Sequence, residues 1–455
     1  MIGLNRRLAR LEKEGRRIAV SVVGAGQMGT GLVSQTQRMK AMQAVVVVDI
    51  DLERARQAYL QAGVDPAQIV VTDHPSLAAE AIASGRRVAT PRASLAVIPG
   101  VDAVVDATGE PEVGSRLALD AILAKKHIIM LNVEADVTVG PLLSRMAGAA
   151  GVVYTGTAGD EPGCIKELYD FADGLGFQIR VAGKGKNNPL RRDATPDDLA
   201  AEAKAKGASA RMLTSFVDGT KTMVEMTCLA NATGLLPDIP GMHGPEAKLD
   251  QVLSTLRLKT EGGVLGQYGV VEYVQGIAPG VFVVVTTDSP IIAAELQYLS
   301  MGPGPNFLLY RPYHLTSLET PVTIVRAVLD GEATIEPLGA PLAETIAVAK
   351  RDLQPGEVLD GLGGSTVYGT ILTAVEAGRQ GALPLGLVNH RTVVSRAIPK
   401  GSILSYHDVS LDNDSTIVQL RRLQDSLFAE EAANLREVLT RAADLGAAGA
   451  GDLSA

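Results

Sequence analysis

Two lysines and two side-chain amides fall within five residues in the stretch Gly183-Lys184-Gly185-Lys186-Asn187-Asn188-Pro189, directly after an apolar run that reads as a strand. A strand-end loop of this kind grips an anion through ammonium and amide donors. A lysine that is desolvated there, or that lies beside another cation, also loses its proton near neutral pH and works as an acid or base. The loop reads either as a proton-transfer site on Lys184 or Lys186, with Asn187 and Asn188 on the substrate, or as a plain basic grip. Asp160 and Glu161 form an acidic pair that can bind hydroxyls, hold a divalent metal or act as a base; alternatively Asp160 caps the helix entered at Pro162. Lys221 and Glu225 stand four residues apart, one turn of a helix, as substrate contacts or as a surface ion pair. His243, in the glycine-rich stretch Gly241-Met242-His243-Gly244-Pro245, reads as a lid residue or substrate ligand. Arg311 can hold a carboxylate or phosphate through two parallel hydrogen bonds, and His314 brings a side chain that titrates near neutrality. The alternative for that segment is a polar seam between domains.

These groups need a fold to position them, and the strongest sign of one lies at residues 18–29. An apolar strand ends at Val23 and turns through Gly24, Gly26 and Gly29, with Gln27 and Met28 opening a helix. Glycines at this spacing permit a tight turn, close approach of a pyrophosphate and packing of the helix on the strand. The helix amino terminus adds unpaired N–H groups and a partial positive charge. A second strand ends in Asp49, 20 residues past Gly29, where a carboxylate accepts hydrogen bonds from an adenine-ribose diol. A carboxylate there repels a 2′-phosphate, which favours NAD over NADP, although Arg54 and Arg56 lie close enough to leave NADP open. The alternative is that Asp49 caps the next helix. Val104 to Gly109 reads as the strand edge beneath the nicotinamide, with Thr108 and Gly109 small enough to keep the approach clear.

At 455 residues the chain predicts two to three domains. Apolar residues make up 46% and aromatic residues 4%, with no Trp, so the cores are expected to be aliphatic. A net charge of −9 argues against a nucleic-acid partner, which would want a basic face. Two cysteines, Cys164 and Cys228, without metal-ligand spacing point to a reduced, cytoplasmic protein. The charged amino terminus does not read as a signal peptide, and no apolar run is long enough to span a bilayer, so no membrane partner is expected.

Short apolar strands alternating with helices predict an α/β, doubly wound, dinucleotide-binding Rossmann domain over 1–160. Its strands are placed at 18–23, 44–48, 103–106, 127–131 and 151–154, with an extra one at 69–71. Residues 161–346 read as an α+β substrate and dimerisation domain with strands at 178–182, 212–217 and 281–285. Near 347 the pattern changes again. The stretch 348–359 has an echo at 394–404, two versions of one strand–turn–strand, marking a module over 347–410. Residues 411–455 read as a helical tail whose Gly/Ala-rich end is expected to be disordered.

The glycine turn, the run Asn132 to Thr138, the Gly183–Asp193 loop, Gly241–Pro245 and Arg311–Ser317 together resemble the homoserine-dehydrogenase-like oxidoreductases that carry a carboxy-terminal SAF domain. Within that group the likeness is nearest to the 1-deoxy-D-xylulose 5-phosphate reductoisomerase-like proteins, over about residues 1 to 428. The repeat at 347–410 resembles a SAF, or β-clip, module. The resemblance implies a two-part oxidoreductase, a homodimer or higher homo-oligomer, acting on a small, polyhydroxylated, anionic substrate, with Asn132 and Glu134 on the cofactor. Glu134 stands where homoserine dehydrogenase places a lysine, so homoserine is not the expected substrate. Reductoisomerase activity would imply NADPH, whereas related branches oxidise and isomerise branched sugar acids with NAD.

The sequence therefore predicts hydride transfer between nicotinamide and a carbinol carbon of a sugar acid or sugar phosphate. Lys184 or Lys186 moves the hydroxyl proton; Arg311, His314 and Asn188 hold the anionic end. An NADPH-dependent reductoisomerase and a non-catalytic dinucleotide sensor are the alternatives. Asp49→Ala should weaken NADH binding and relatively favour NADPH in parallel fluorescence titrations; an unchanged preference removes Asp49 from the ribose.

Overall fold

The computed structural model of the chain describes residues 3–430. Its first layer is a seven-stranded parallel sheet of β1 (Ile18–Val23), β2 (Met42–Val48), β3 (Ile69–Val71), β4 (Arg87–Thr90), β5 (Ala103–Asp106), β6 (His127–Met130) and β7 (Tyr154–Gly156), in the order β3-β4-β2-β1-β5-β6-β7. Packed with it are α1 (Leu4–Lys13), α2 (Gln27–Arg38), α3 (Leu52–Gln61), α4 (Pro75–Ala83), α5 (Pro111–Leu123) and α6 (Val133–Ala150). The expected strands are present, the last shifted to Tyr154–Gly156. β4 was not anticipated: its four residues include two polar ones yet are all buried, wedged between β2 and β3. Strand order reverses between β2 and β5 on either side of β1, which opens a crevice at the carboxyl ends of β1 and β5.

The second layer follows α7 (Glu161–Gly174). It is a five-stranded sheet of β8 (Gln178–Lys186), β9 (Leu236–Pro237), β10 (Val270–Gln275), β11 (Val281–Thr286) and β12 (Asn306–Arg311), in the order β12-β11-β8-β10-β9. Between β8 and β9 run α8 (Pro196–Lys206), α9 (Ala210–Val217) and α10 (Thr220–Thr233). The expected strand at 212–217 is instead the body of α9. Its Ser209 side chain accepts from the Met212 amide as a helix cap, and Leu213 and Val217, four apart, are buried together. The β-branched and aromatic residues that suggested a strand were overridden by that four-residue spacing. α10 is the central rod, with 12 of its 14 residues buried.

The last described part pairs β13 (Ala343–Ala349) with β14 (Val367–Thr373) antiparallel, and β15 (Val393–Val394) with β16 (Val409–Ser410). The sequence echo has a structural counterpart. Leu353 and Ile398 exchange backbone hydrogen bonds of 2.9 and 3.0 Å, and each is followed three residues later by a left-handed glycine, Gly356 (φ 86°) and Gly401 (φ 80°). Side chains from this part, among them Leu353, Leu385 and Ile398, share one core with Val104, Leu117 and Leu143 of the first layer. A helix over 416–430 closes the described chain, its first turn held by Glu112, which accepts from the Ser415 hydroxyl and the Thr416 and Ile417 amides. The Gly/Ala-rich end of the tail, expected to be disordered, lies outside the described residues. Among the described residues no helix is long and apolar enough to cross a membrane.

The glycine turn shows why its spacing is fixed. A Cβ on Gly29 would sit 1.8 Å from the Gly24 carbonyl oxygen, and one on Gly24 (φ 95°) would sit 2.7 Å from the Ala107 carbonyl oxygen. Gly29→Ala should cost about 3 kcal/mol or more of unfolding free energy through that clash, read by urea denaturation; a cost near zero would mean that the strand–turn–helix packing is not as described.

Candidate active site

The crevice between β1 and β5 is open at the glycine turn. A Cβ on Gly26 would meet nothing within 4 Å, and Gly26, Gln27 and Met28 are exposed at the head of α2. No side chain caps that helix end, so its first amides face the opening. Asp49 turns toward the same place: its carboxylate accepts from the Ala25 amide at 2.7 Å and the Asp51 amide at 2.9 Å. Capping of α3 falls to Asp51, which accepts from the Glu53 and Arg54 amides, so Asp49 is not the cap.

Across the crevice, Thr108 donates its hydroxyl (2.6 Å) and amide (2.9 Å) to the buried Asp106. Asn132 donates to the other Asp106 oxygen at 3.0 Å and caps α6 by accepting from the Ala135 amide. Burial pushes the Asp106 carboxyl up to about 6, against the pull of Thr108 and Asn132. Gly109 (φ 70°) lies under α9, with Met212 Cε 3.8 Å from where its Cβ would be.

The lysines of the expected loop are instead the last residues of β8, alternating with Gly183 and Gly185 so that both face the same side. The ammonium of Lys184 lies between Glu161, at 2.7 Å, and Glu225, with which it forms a second short ion pair. Lys221 donates to Glu134 at 2.9 Å. All four side chains of these two clusters on α6, α7 and α10 are at most one-sixth exposed. Lys221 and Glu225 thus share one face of α10 but pair with other elements rather than with each other.

Asp160 precedes α7 without hydrogen-bonding its amides, so it does not serve as the side-chain cap. Carboxylate oxygens of Asp160, Glu161 and Glu225 lie within 4.8 Å of one another, and among the described residues this is the group that could hold a divalent cation. Three carboxylates at this spacing cannot all ionise alone. Burial works against ionisation of Glu161, but Lys184 and His314 overcome it and hold its carboxyl well below the usual range. Burial and the Glu161 charge push Glu225 up to about 7 and raise Asp160 well above the ordinary carboxylate value. Burial also opposes charge on Lys184, yet Glu161 and Glu225 raise its pKa and keep it an ammonium ion. Lys186, whose Nζ donates to the Phe216 carbonyl at 2.6 Å, is pushed down to about 8 by burial and by Lys184.

The segment after β12 ties the two halves together. His314 Nε2 is 3.4 Å from Glu161, the Thr316 amide donates to the Gly159 carbonyl at 2.7 Å, and Ser317 Oγ would lie 3.1 Å from a Cβ on Gly31 of α2. Arg311 does not open its fork to the crevice. It pairs with Glu319 and, at 3.2 Å, with Glu167, donates to Cys164 Sγ at 3.3 Å, and stacks on Tyr313. His243 binds Asp238 at 2.7 Å, and its amide donates to Glu272, so its ring is paired outside the carboxylate cluster. Asn187 is exposed and Asn188 half-buried just past β8. The partners Glu134 for Lys221 and Glu319 for Arg311 were not legible in the sequence, because each pair spans separate elements.

Residues 159–320 match the family model described as oxidoreductase DRL, catalytic domain. No curated protein matches the chain. Among solved structures, a probable dehydrogenase from Thermotoga maritima is 14% identical over 71% of this chain and 91% of that one, with a TM-score of 0.41. Scyllo-inositol dehydrogenase from Lactobacillus casei is 12% identical over 65% and 76%, with a TM-score of 0.36. The chain is an oxidoreductase, and the matched stretch contains Asp160, Glu161, Lys184, Lys186, Lys221 and Glu225.

Removing the cation between Glu161 and Glu225 leaves two buried carboxylates facing each other. Lys184→Met should therefore cost about 3–5 kcal/mol of unfolding free energy at pH 8, read by urea denaturation; a loss below about 1 kcal/mol would show that Lys184 does not hold the cluster together.

Proposed function

We propose that the chain is an NAD(P)-dependent oxidoreductase that interconverts a carbinol and a carbonyl on a small, anionic, polyhydroxylated substrate such as a sugar acid or sugar phosphate. The observation that carries this reading is the convergence of an open glycine-turn crevice and a buried lysine–carboxylate cluster, joined by the segment His314–Ser317. A nicotinamide dinucleotide held by Gly24, Gly26 and the head of α2 supplies the hydride chemistry, and Asp49 favours NAD at the ribose.

The chain's own residues divide the remaining work. Lys184 is a fixed cation: it keeps Glu161 ionised and orders the cluster. Lys186 suits the proton, because it ends β8 two residues past Lys184 with a pKa near the operating range. In oxidation its neutral amine takes the hydroxyl proton; in reduction its ammonium returns it. Arg311 shapes the wall through Glu319 and Glu167, which leaves His314 and Asn188 for the substrate's polar end. Asp160, Glu161 and Glu225 would hold a divalent cation against substrate oxygens. That trio also favours a reductoisomerase-type reaction as the second reading: Asp160, Glu161 and Glu225 would hold a divalent cation, which would supply Lewis-acid chemistry at a substrate carbonyl.

Turnover is tested by nicotinamide absorbance with a panel of sugar acids and pentulose phosphates, with NAD and NADP in parallel, with and without added magnesium or manganese. Oxidation of a panel member supports the enzyme reading; tight NADH binding with no turnover favours a dinucleotide sensor. In the oxidising direction the rate should rise with pH through about 8 as Lys186 loses its proton. Lys186→Ala should abolish that rise and lower turnover about 100-fold or more while NADH affinity stays unchanged. Normal turnover in that variant would take Lys186 out of the mechanism.

A further inference from the structure

A cavity of about 300 Å³ lies between the loop that follows β8 and the β13–β14 hairpin, and its walls run against the sign of the chain. The net charge is −9, yet the lining brings Arg192, Lys350 and Lys400 together against one carboxylate, Asp193, with Tyr368 beside them. None of these residues belongs to the lysine–carboxylate cluster of the active site.

The three cations differ in what they have left to offer. Lys350 is buried and saturated: its ammonium donates to the Ala194 and Gly364 carbonyls at 2.6 Å each and pairs with Asp218 at 2.8 Å. It forms a fixed floor tying the loop to the hairpin. Arg192 is held by its face, its guanidinium carbon 5.2 Å from the Tyr368 ring centroid. Stacking of this kind leaves the edge of the guanidinium, a planar fork of donors, free for two oxygens of one anion. Among the described residues no carboxylate or carbonyl occupies that fork. Lys400 stands at the rim, 62% exposed and 3.7 Å from Asp193, loosely enough paired to swing onto a ligand. The volume is at the small end for ligand sites and suits a phosphate with a short carbon chain.

We propose that this cavity binds a small phosphate-bearing anion, with Arg192 gripping two phosphate oxygens and Lys400 closing the rim. Two converging cations favour a dianionic phosphate over a single carboxylate. An occupant would bridge the loop after β8, on the substrate side, and the carboxy-terminal hairpin.

Isothermal titration of the full chain with inorganic phosphate, and separately with acetate, tests this without any turnover assay. One saturable phosphate site per chain is expected, with acetate weaker. Arg192→Gln should weaken phosphate about tenfold or more, while the circular dichroism spectrum and the melting temperature without phosphate stay at the wild-type values. If that variant does not fold, Lys400→Gln, at an exposed position, carries the test: a weaker, salt-dependent affinity is expected. The proposal is overturned by the absence of saturable phosphate binding, by wild-type affinity in the folded Arg192→Gln chain, or, where that chain does not fold, by wild-type affinity in Lys400→Gln. Acetate binding as tightly as phosphate, or phosphate displaced by NADH, overturns it equally, the last placing the ion at the glycine turn.

Discussion

The arrangement of the molecule turns on one buried ammonium group. Lys184 reaches from the end of β8 to Glu161 at the start of α7 and Glu225 in the middle of α10. A carboxylate out of water costs several kcal/mol unless a cation and hydrogen bonds meet it. The strand and both helices must therefore meet at one point, or none of the three side chains is tolerable. Their shared demand fixes the angle at which α7 and α10 pack on the second sheet. It also divides the protons, since one lysine cannot neutralise three carboxylates. Glu161, which faces both Lys184 and His314, keeps its charge, and Asp160 and Glu225 are driven toward the protonated form.

α10 could not hold its charged face in place without something behind it. On its other sides the Thr220 hydroxyl accepts from the Gly369 amide at 2.9 Å, Thr227 bonds Thr345 at 2.8 Å, and Asn231 accepts from the Leu342 and Ala343 amides. Asp218, just before the helix, is fixed by Lys350. Every one of these partners lies on β13, β14 or their flanks. The carboxy-terminal hairpin is thus a brace for the helix that carries Lys221 and Glu225. Buried polar contacts of this kind cost much when broken and so admit a single register.

The glycine-turn crevice and the carboxylate cluster are coupled through the first turn of α6. Asn132 caps that helix and joins the Asp106–Thr108 network, and one turn on Glu134 binds Lys221. A shift of α6 would disturb both at once. The segment from His314 to Ser317 makes a second bridge, from Glu161 to the surface of α2. A reaction between two bound groups requires that they be held in register, and two independent connections join these two regions.

Local patterns carried much of the architecture. The apolar runs of β1, β2 and β5, buried on both faces, read as parallel strands, and the glycine spacing at 24–29 was legible as a pattern, with Gly29 set by the nearby Gly24 carbonyl and Gly24 by Ala107 at the end of β5. The repeat around Gly356 and Gly401 was visible because both copies need the same turn. What the sequence determined unaided was therefore the glycine turn, the alternating layers and the chemical types of the site residues, all of which depend on neighbours within a turn or a strand. It misread 212–217, where capping by Ser209 and burial of Leu213 with Val217 outweighed β propensity, and it missed β4, β10 and β12. Tertiary structure alone decided the pairings: Lys184 with Glu161 and Glu225, Lys221 with Glu134, and Arg311 with Glu319 rather than an open anion. An ion pair between separate elements leaves no periodic trace along the chain. Its energy depends on burial and on distances that exist only once the layers have packed.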